Sequence, residues 1–274
     1  MDTLITDWRL SQARKSPRTL IERERVVRLL ARRRRVDPVT ATWRDVAAFL
    51  ADPAFRDSTA VTYYAALRSW FAFLVEIGAR EDDPLVRMTA PTAKRGTPHP
   101  VTTTELGAVL RKVNRRRTRA MVLLAAYEGL RVSEIARVRG EHFRGGQLYV
   151  RGKGGHELPL PVHPVITDLA ATFPRVGLWF PSYTDQAEPI TSNNVSRVVS
   201  EVMHRAGVNS SAHSLRHWYG TQVLTAAGGN LRTAQRALRH SSPATTAIYT
   251  LITDEQLREA IDGLPVPLHA VPVA

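Results

Sequence analysis

A stretch rich in proline and threonine, TAPTAKRGTPHP at residues 89–100, interrupts the chain and carries no hydrophobic period. Proline has no backbone N–H, and the residue before a proline is biased away from helix, so this stretch reads as a linker. The chain has 274 residues, enough for two separate hydrophobic cores. We therefore predict two domains, at residues 1–90 and 101–264, joined by a linker at residues 91–100 and followed by a tail at residues 265–274.

The residues before the linker show the apolar spacing of helices. This spacing predicts helices at Thr19–Leu30, Trp43–Leu50 and Ser58–Ile77. The predicted apolar face of the third helix comprises Val61, Tyr64, Ala65, Leu67, Trp70, Phe71 and Leu74. The pattern indicates a small all-α bundle.

Beyond the linker, one β-hairpin interrupts a further series of helices. Two segments rich in β-formers, Gln147–Arg151 and His156–Pro161, flank a Gly-Lys-Gly-Gly turn with Lys153 at its tip. Helices are predicted at residues 103–113, 118–130, 133–138, 164–173, 191–206, 213–227, 231–239, 243–250 and 254–263. The predicted fold class is therefore mostly α, with an all-α N-terminal bundle and a C-terminal α+β domain that contains a small antiparallel sheet.

The charge balance favours a polyanionic partner. The chain has 38 basic and 25 acidic residues, a net charge of +13 and a pI of about 10.9. Arginine, whose planar guanidinium binds phosphate oxygens in pairs, supplies most of the basic charge. We predict DNA contacts at Arg32, Arg33, Arg34, Arg35, Lys94, Arg95 and Arg151.

Composition also excludes several classes of protein. The chain has no cysteine, which excludes disulfides, metal–thiolate sites and a cysteine nucleophile. Its apolar runs are far shorter than the roughly 20 residues that cross a bilayer, and its N-terminus lacks the pattern of a signal peptide. We expect no membrane association, no cofactor and no metal.

Six side chains could act together on a phosphodiester. They are Arg131, Lys153, His213, Arg216, His240 and Tyr249. A phosphodiester under attack gathers negative charge on its non-bridging oxygens, and preorganised guanidinium groups stabilise that charge. The set therefore contains what attack on a phosphodiester requires without a metal ion.

Each residue type has a role in such a reaction, in which the two arginines hold the phosphate. The phenol of Tyr249 is the predicted nucleophile and His213 its proton acceptor, because an unperturbed phenol has a pKa near 10 and needs help to attack. His240 donates a further hydrogen bond to the phosphate, and Lys153 protonates the departing 5′-oxygen. The product would be a covalent 3′-phosphotyrosine link, which allows religation without ATP.

Four stretches resemble motifs of the tyrosine recombinases, the phage integrase and Xer-type family. They are YEGLRVSEIARV at 127–138, VRGKGGHELPLP at 150–161, AHSLRHWYGTQVL at 212–224 and ALRHSSPATTAIYT at 237–250, in the family's order. The resemblance covers residues from about 100 to 263, and the N-terminal bundle is similar in size and position to the family's SAM-like core-binding domain. It implies that the six residues form the active site with Tyr249 as nucleophile, and that Glu134 organises the pocket.

The resemblance also implies partners and a setting. The short N-terminal region is similar to that of small integrases without an arm-binding domain, so a phage integrase is the leading interpretation. Such a protein would bind double-stranded DNA core attachment sites, act as a homotetramer on DNA and a monomer when free, and use a small directionality or host factor. It would work in the cytoplasm of a bacterial host, at the nucleoid. The segment Thr253–Leu264 would suit exchange of a C-terminal helix between neighbours.

Two positions depart from the family pattern. Arg239 stands where the family usually has glycine, so the local turn is strained if its backbone requires a positive φ. Glu157 stands where the family often has a basic residue, which would remove one phosphate contact.

Several alternatives share part of this pattern. An Xer-type chromosome-dimer resolvase or a mobile-element recombinase would carry the same residues, and a type IB topoisomerase would use the same chemistry. A non-catalytic DNA-binding protein could keep the fold and the charge. A metal hydrolase could use His213 and His217, four residues apart on one helix face, but Ser214 stands where a glutamate would be needed.

Overall fold

The computed structural model describes residues 1–93, 100–151 and 157–239, with Arg151 and Leu158 described by their backbone alone. The predicted positions Lys94, Arg95, Lys153, His240 and Tyr249 lie outside the described residues, as do the helices predicted at 243–250 and 254–263. The chain divides into two compact units, Met1–Gly96 and Thr97–Ala274.

The first unit is a helical bundle. Its helices are α1 (Asp2–Ser11), α2 (Pro17–Arg34), α3 (Trp43–Leu50) and α4 (Asp57–Glu76), followed by a 3₁₀ turn (Pro84–Arg87). Local capping explains two of the starts: the Ser16 hydroxyl accepts the Thr19 N–H before α2, and Thr42 and Asp45 form a capping box at α3. Trp8 of α1 packs edge-on against Trp70 of α4 at 5.2 Å between ring centroids.

The first unit differs from the sequence-based prediction at α1 and on one face of α4. Helix α1 was not predicted, because it is short and polar apart from the few apolar side chains that reach the core. The predicted apolar face of α4 is also wrong at Ala65, which is exposed, and it omits Tyr63 and Ala66, which are buried; Tyr64 packs against the core as predicted. The apolar face of a twenty-residue helix drifts around its axis, so a fixed spacing misplaces its N-terminal half.

The second unit is mostly helical and contains a small sheet, as the sequence predicts. Its helices are α5 (Thr103–Lys112), α6 (Arg116–Tyr127), α7 (Val132–Ile135), α8 (Pro164–Ala170), α9 (Ser192–Arg205), α10 (Ala212–Ala226) and α11 (Leu231–Leu238). The antiparallel sheet has the order β1 (Phe143–Arg144), β2 (Gln147–Arg151) and β3 (Glu157–Pro161), with Val150 opposite Leu158. Strand β1 was not predicted, because two residues are too few to show an alternation.

Helix α6 is the centre of this unit. Its residues from Ala120 to Ala126 are all buried, and the helix packs against α8, α9 and α10. An apolar surface on every side is typical of a helix inside a domain. The C-terminal end of α6 is therefore held rigidly where the chain turns into α7. No helix among the described residues is long and apolar enough to span a membrane.

Candidate active site

The turn after α6 is built around Gly129. This residue has a φ of +56°, in the left-handed region that disfavours side chains. A Cβ atom at this position would lie 2.3 Å from Cδ1 of the Tyr219 ring, which belongs to α10. Both the backbone conformation and the close approach of α10 therefore require glycine here. Because glycine allows this close approach, the backbone carbonyl of Gly129 lies within hydrogen-bonding reach of Arg216 on α10.

Arg131 and Glu134 form a clamp at the start of α7. The Glu134 carboxylate accepts the backbone N–H of Arg131 at 2.8 Å through Oε2 and its Nη1 at 2.9 Å through Oε1. The Glu134 side chain is only 8% exposed, whereas that of Arg131 is 41% exposed. The buried carboxylate thus holds one edge of a guanidinium that still faces solvent, where a phosphate could reach it.

Arg216 of α10 is the deepest cation of the site, with 1% exposure. Its Nη1 donates to the carbonyl of Gly129 and its Nη2 to the carbonyl of Leu238, the last residue of α11. A buried charge is costly unless it is hydrogen-bonded, and backbone carbonyls supply those bonds here. Arg216 therefore ties three segments together: the turn after α6, helix α10 and the end of α11.

His213 lies one turn before Arg216 on α10. The residue is exposed at the surface, yet partial desolvation of its imidazole and the charges of Arg216 and Arg131 lower its pKa. A lowered pKa keeps the imidazole neutral and able to accept a proton at neutral pH. Its ring meets that of His217 at 4.3 Å between centroids, and burial and His213 lower the pKa of His217 to about 4.

Arg239 is a member of this cluster that sequence analysis treated only as a departure. It ends α11 with a φ of 53°, so the positive φ considered from the sequence is present. Its side chain is 2% exposed and donates from Nη2 to Glu134 Oε2 at 2.8 Å. Longer contacts of 3.4 and 3.5 Å join it to the carbonyls of Gly129 and Glu128. Its position next to the predicted site residue His240 is the one sequence feature that could have pointed to Arg239. The contacts of its side chain could not be predicted from the sequence.

Glu128 is a second residue that sequence analysis missed. Its carboxylate is fully buried behind the Gly129 turn and accepts the backbone N–H of His163 at 2.9 Å. Burial raises its pKa to about 7, although the His163 bond and the charge of Arg239 oppose that rise. The same carboxylate, together with burial, raises the pKa of the Tyr219 phenol to about 12.

The structure thus assembles four predicted site residues around the Gly129 turn: Arg131, Glu134, His213 and Arg216. The remaining predicted positions, Lys153, His240 and Tyr249, lie outside the described residues. Glu157, the other departure, pairs with Arg144 at 3.4 Å on an exposed part of the sheet. No group of three metal-binding side chains occurs within the ranges that the structure describes.

Basic residues concentrate at two further places. In the first unit, Arg32–Arg35 are exposed at the end of α2, where Arg33 pairs with Asp52 at 3.2 Å.

In the second unit, a cavity of about 660 Å³ lies at the N-terminal end of α6. The cavity is lined by Arg115, Arg116, Arg117, Arg197 and Arg205, with Glu201 beside them. Arg115, Arg116 and Arg117 lie at the start of α6, where positive charge opposes the helix dipole, whereas Arg205 lies in the last turn of α9, where positive charge is favourable. This basic cavity was not predicted from the sequence.

Three comparisons relate the chain to known proteins. Residues 101–256 match the model of the phage integrase family. The chain is 31% identical over 208 residues to tyrosine recombinase XerA of Pyrococcus furiosus, covering 72% of this chain and 71% of the relative. It is also 31% identical over 247 residues to tyrosine recombinase XerC of Vibrio parahaemolyticus, covering 82% of this chain and 77% of the relative.

Solved structures extend the likeness to both units. The integrase of mycobacterium phage Brujita is 38% identical with a TM-score of 0.52, over 93% of this chain and 89% of that one. A lambda integrase dimer bound to a COC′ core site has a TM-score of 0.74 at 19% identity, over 89% of this chain and 96% of that one. A lambda integrase tetramer bound to a Holliday junction matches with a TM-score of 0.74 at 19% identity, over 90% of this chain and 76% of that one. The two lambda structures show a shared fold.

Proposed function

The chain belongs to the phage integrase family of tyrosine recombinases and is a site-specific recombinase, and on this basis we propose that it is a phage integrase that cuts DNA through Tyr249. The observation that carries the chemistry is the grouping of Arg131, His213 and Arg216 around one rigid glycine turn. The likeness to the Brujita integrase, at higher identity than to the Xer proteins, supports the phage assignment.

Binding of the scissile phosphate falls to the two arginines. Arg131 offers the solvent-facing part of a guanidinium whose other edge is fixed by Glu134. Arg216 supplies a second positive charge from the buried side of the site, and two backbone carbonyls hold its guanidinium in place. Because both groups are oriented before DNA arrives, they stabilise the charge of the transition state without reorganising. This arrangement favours attack on a phosphodiester.

The proton of the nucleophile is assigned to His213. The imidazole is neutral at neutral pH because its surroundings lower its pKa, so it can accept the phenol proton of Tyr249 as the O–P bond forms. The bond that breaks releases a 5′-oxygen, which Lys153 protonates, and His240 donates a hydrogen bond to the phosphate. These last roles are those that the family resemblance implies for the matching positions.

The proposed function also implies a DNA partner, an assembly and a cellular location. The lambda integrase relatives are solved as a dimer on a core site and as a tetramer on a Holliday junction. We extend this to the present chain as binding to double-stranded core sites and assembly of a homotetramer on DNA, in the cytoplasm of a bacterial host. The net charge of +13 supports the DNA partner.

One alternative within the family has a specific observation in its favour. Xer recombinases match the chain at 31% identity over as much as 82% of its length. A chromosome-dimer resolvase would recombine two copies of one chromosomal site, whereas a phage integrase would join a phage site to a different bacterial site. Recombination assays on the two pairs of sites distinguish these functions.

The central experiment traps the intermediate. The full-length protein is incubated in EDTA with a nicked DNA substrate that carries the candidate core site, so that the cleaved end diffuses away. We expect a covalent protein–DNA complex on a denaturing gel, because the mechanism uses no metal. Protease digestion and mass spectrometry should then find the nucleotide on the peptide that contains Tyr249. Tight DNA binding without a covalent complex, or attachment at another residue, would contradict the proposal.

The basic cavity gives a second prediction for the same protein. The paired substitution Arg115→Gln and Arg205→Gln should reduce the salt dependence of DNA binding, because each lost phosphate contact lowers the slope of log K against log salt by about 0.9. Cleavage at saturating DNA should be unchanged. Fluorescence anisotropy over a range of salt concentrations measures the slope. The matched control is Arg111→Gln with Arg175→Gln, which removes the same charge from exposed sites outside the cavity. Equal slopes for the two pairs would rule the cavity out as a DNA contact.

A further inference from the structure

We propose that Arg239 is a positioning residue of the recombinase, which fixes the Glu134 carboxylate and through it the phosphate-binding guanidinium of Arg131. The inference rests on the proposed function and goes beyond the family resemblance, in which this position is usually glycine. It assigns a role to a side chain that the reaction chemistry does not itself require.

The backbone conformation of Arg239 is unfavourable for an arginine. Its φ of 53° is in the left-handed region, where glycine is preferred at the end of a helix. Strain of this kind persists where the surrounding structure compensates for it. Arg35 ends α2 with a similar φ of 56° but has an exposed side chain, whereas the guanidinium of Arg239 is buried against Glu134 at 2.8 Å. The buried ion pair, rather than the φ alone, therefore distinguishes Arg239.

The Glu134 carboxylate is held by three hydrogen-bond donors. Its Oε2 accepts from Arg239 Nη2 and from the Arg131 backbone, and its Oε1 accepts from Arg131 Nη1. With these three donors the carboxylate cannot rotate without losing a charged hydrogen bond. Arg239 therefore holds from the buried side the group that orients Arg131 on the exposed side. In metal sites, mutation of a residue that orients a ligand typically lowers activity about 10- to 100-fold. We expect an effect of similar size for Arg239, which orients Glu134.

Arg239 shares one hydrogen-bond acceptor with each of the two arginines of the site. Its Nη2 reaches the Gly129 carbonyl at 3.4 Å, the same oxygen that accepts from Arg216. The preceding residue, Leu238, gives its own carbonyl to Arg216. The end of α11 is thus fastened to the Gly129 turn by two guanidiniums, and this is where the chain continues into His240.

The charges around Glu134 distinguish an electrostatic role of Arg239 from a packing role, because only an electrostatic role depends on pH. Arg131, Arg216 and Arg239 all act to lower the pKa of Glu134, and the pKa is lowered overall despite burial. Glu128 faces the same turn, and Arg239 opposes the rise of its pKa. Helix α9, which packs against α7, contributes apolar buried side chains. Loss of the Arg239 charge should therefore raise the pKa of both carboxyl groups.

The experiment compares Arg239→Met, Arg239→Lys and Arg239→Gly in the full-length protein. Methionine keeps the length without the charge, lysine keeps the charge, and glycine removes the backbone strain. Single-turnover formation of the covalent complex is measured at saturating DNA from about pH 6 to about pH 9. We expect the methionine and glycine variants to react about 10- to 100-fold more slowly at neutral pH, with the acidic limb moved to higher pH. The lysine variant should recover most of the rate and the normal pH profile, and DNA affinity should stay within about 2-fold throughout.

A second measurement needs no DNA. The difference in melting temperature between the wild type and Arg239→Met should widen as the pH rises from about 5 to about 8, because the lost cation matters more once Glu134 and Glu128 are ionised. A constant difference, or a rate lowered equally at every pH, would mean that Arg239 only packs. An Arg239→Gly variant as active as the wild type would also overturn the inference. Failure of the wild type to form any covalent complex would instead refute the proposed function, while the melting series still tests the pairing.

Discussion

Replacing Tyr249 by phenylalanine is expected to abolish the covalent protein–DNA complex while leaving DNA binding within about 2-fold of the wild type. Only the phenolic oxygen is removed, and no other group of the site can form the bond to phosphorus that the proposed mechanism requires. Loss of an enzyme's nucleophile can lower its rate by about 10⁶-fold, so the band on a denaturing gel should fall below detection. Electrophoretic mobility shift on uncut DNA measures the binding in parallel.

Tyr219→Phe is the matched control for this result. Tyr219 also lies in the catalytic unit, but its ring is packed over Gly129 and its pKa is raised to about 12 by burial and by Glu128. A phenol in that state is a poor nucleophile at neutral pH. The Tyr219→Phe protein should therefore still form the complex. A complex that survives in Tyr249→Phe and disappears in Tyr219→Phe would show that the nucleophile has been assigned to the wrong tyrosine.

The sequence was sufficient for the fold class, and it selected Arg131, His213 and Arg216, which the structure groups around one turn. Helical periodicity and one hairpin signal predicted a mostly α chain with a small antiparallel sheet, and the structure confirms this. Arg131, His213 and Arg216 were selected because their chemistry fits a phosphodiester and because their motifs occur in a family order. Both kinds of signal are local in sequence, so they do not depend on how distant segments pack against one another.

The partners of those residues were not predictable in the same way. The acceptors of Arg216 are backbone carbonyls of Gly129 and Leu238, which are 87 and 22 residues away in sequence. Every residue has a carbonyl, so no residue type marks these two. The role of Glu128 likewise depends on burial behind a turn, which converts an ordinary acidic residue into one with a pKa of about 7. Sequence patterns predict which groups are present; packing decides their protonation and their partners.

At Arg239 the sequence predicted the backbone conformation but not the contacts of the side chain. The family pattern correctly raised the question of a positive φ at this position, because glycine usually occurs there. It could not indicate that the arginine side chain turns inward to Glu134, 105 residues away in sequence. An interpretation restricted to the backbone predicts only strain, whereas the structure shows strain together with a buried ion pair.

The substitution Arg216→Lys is expected to lower both the rate of cleavage and the stability of the second unit. A lysine ammonium is a single point donor and cannot reproduce the planar fork that reaches two carbonyls in different segments. A buried carbonyl left without its donor should cost about 1–3 kcal/mol of unfolding free energy, and the loss should be smaller at Gly129, where Arg239 Nη2 also donates at 3.4 Å. Cleavage should fall about 10²- to 10³-fold or more, as for the loss of one preorganised donor to a reacting group.

Arg131→Lys is the control that separates these two effects. Arg131 is 41% exposed and bonds to Glu134 at a helix start, so a lysine there can keep an ion pair without leaving a core carbonyl unsatisfied. We expect a comparable loss of cleavage with a change in unfolding free energy of less than about 1 kcal/mol. Thermal melting and single-turnover cleavage on the nicked substrate measure both quantities for each variant. Equal destabilisation by the two substitutions would contradict the view that Arg216 fastens the site together, because Arg216, unlike Arg131, joins the Gly129 turn to the end of α11 through buried bonds.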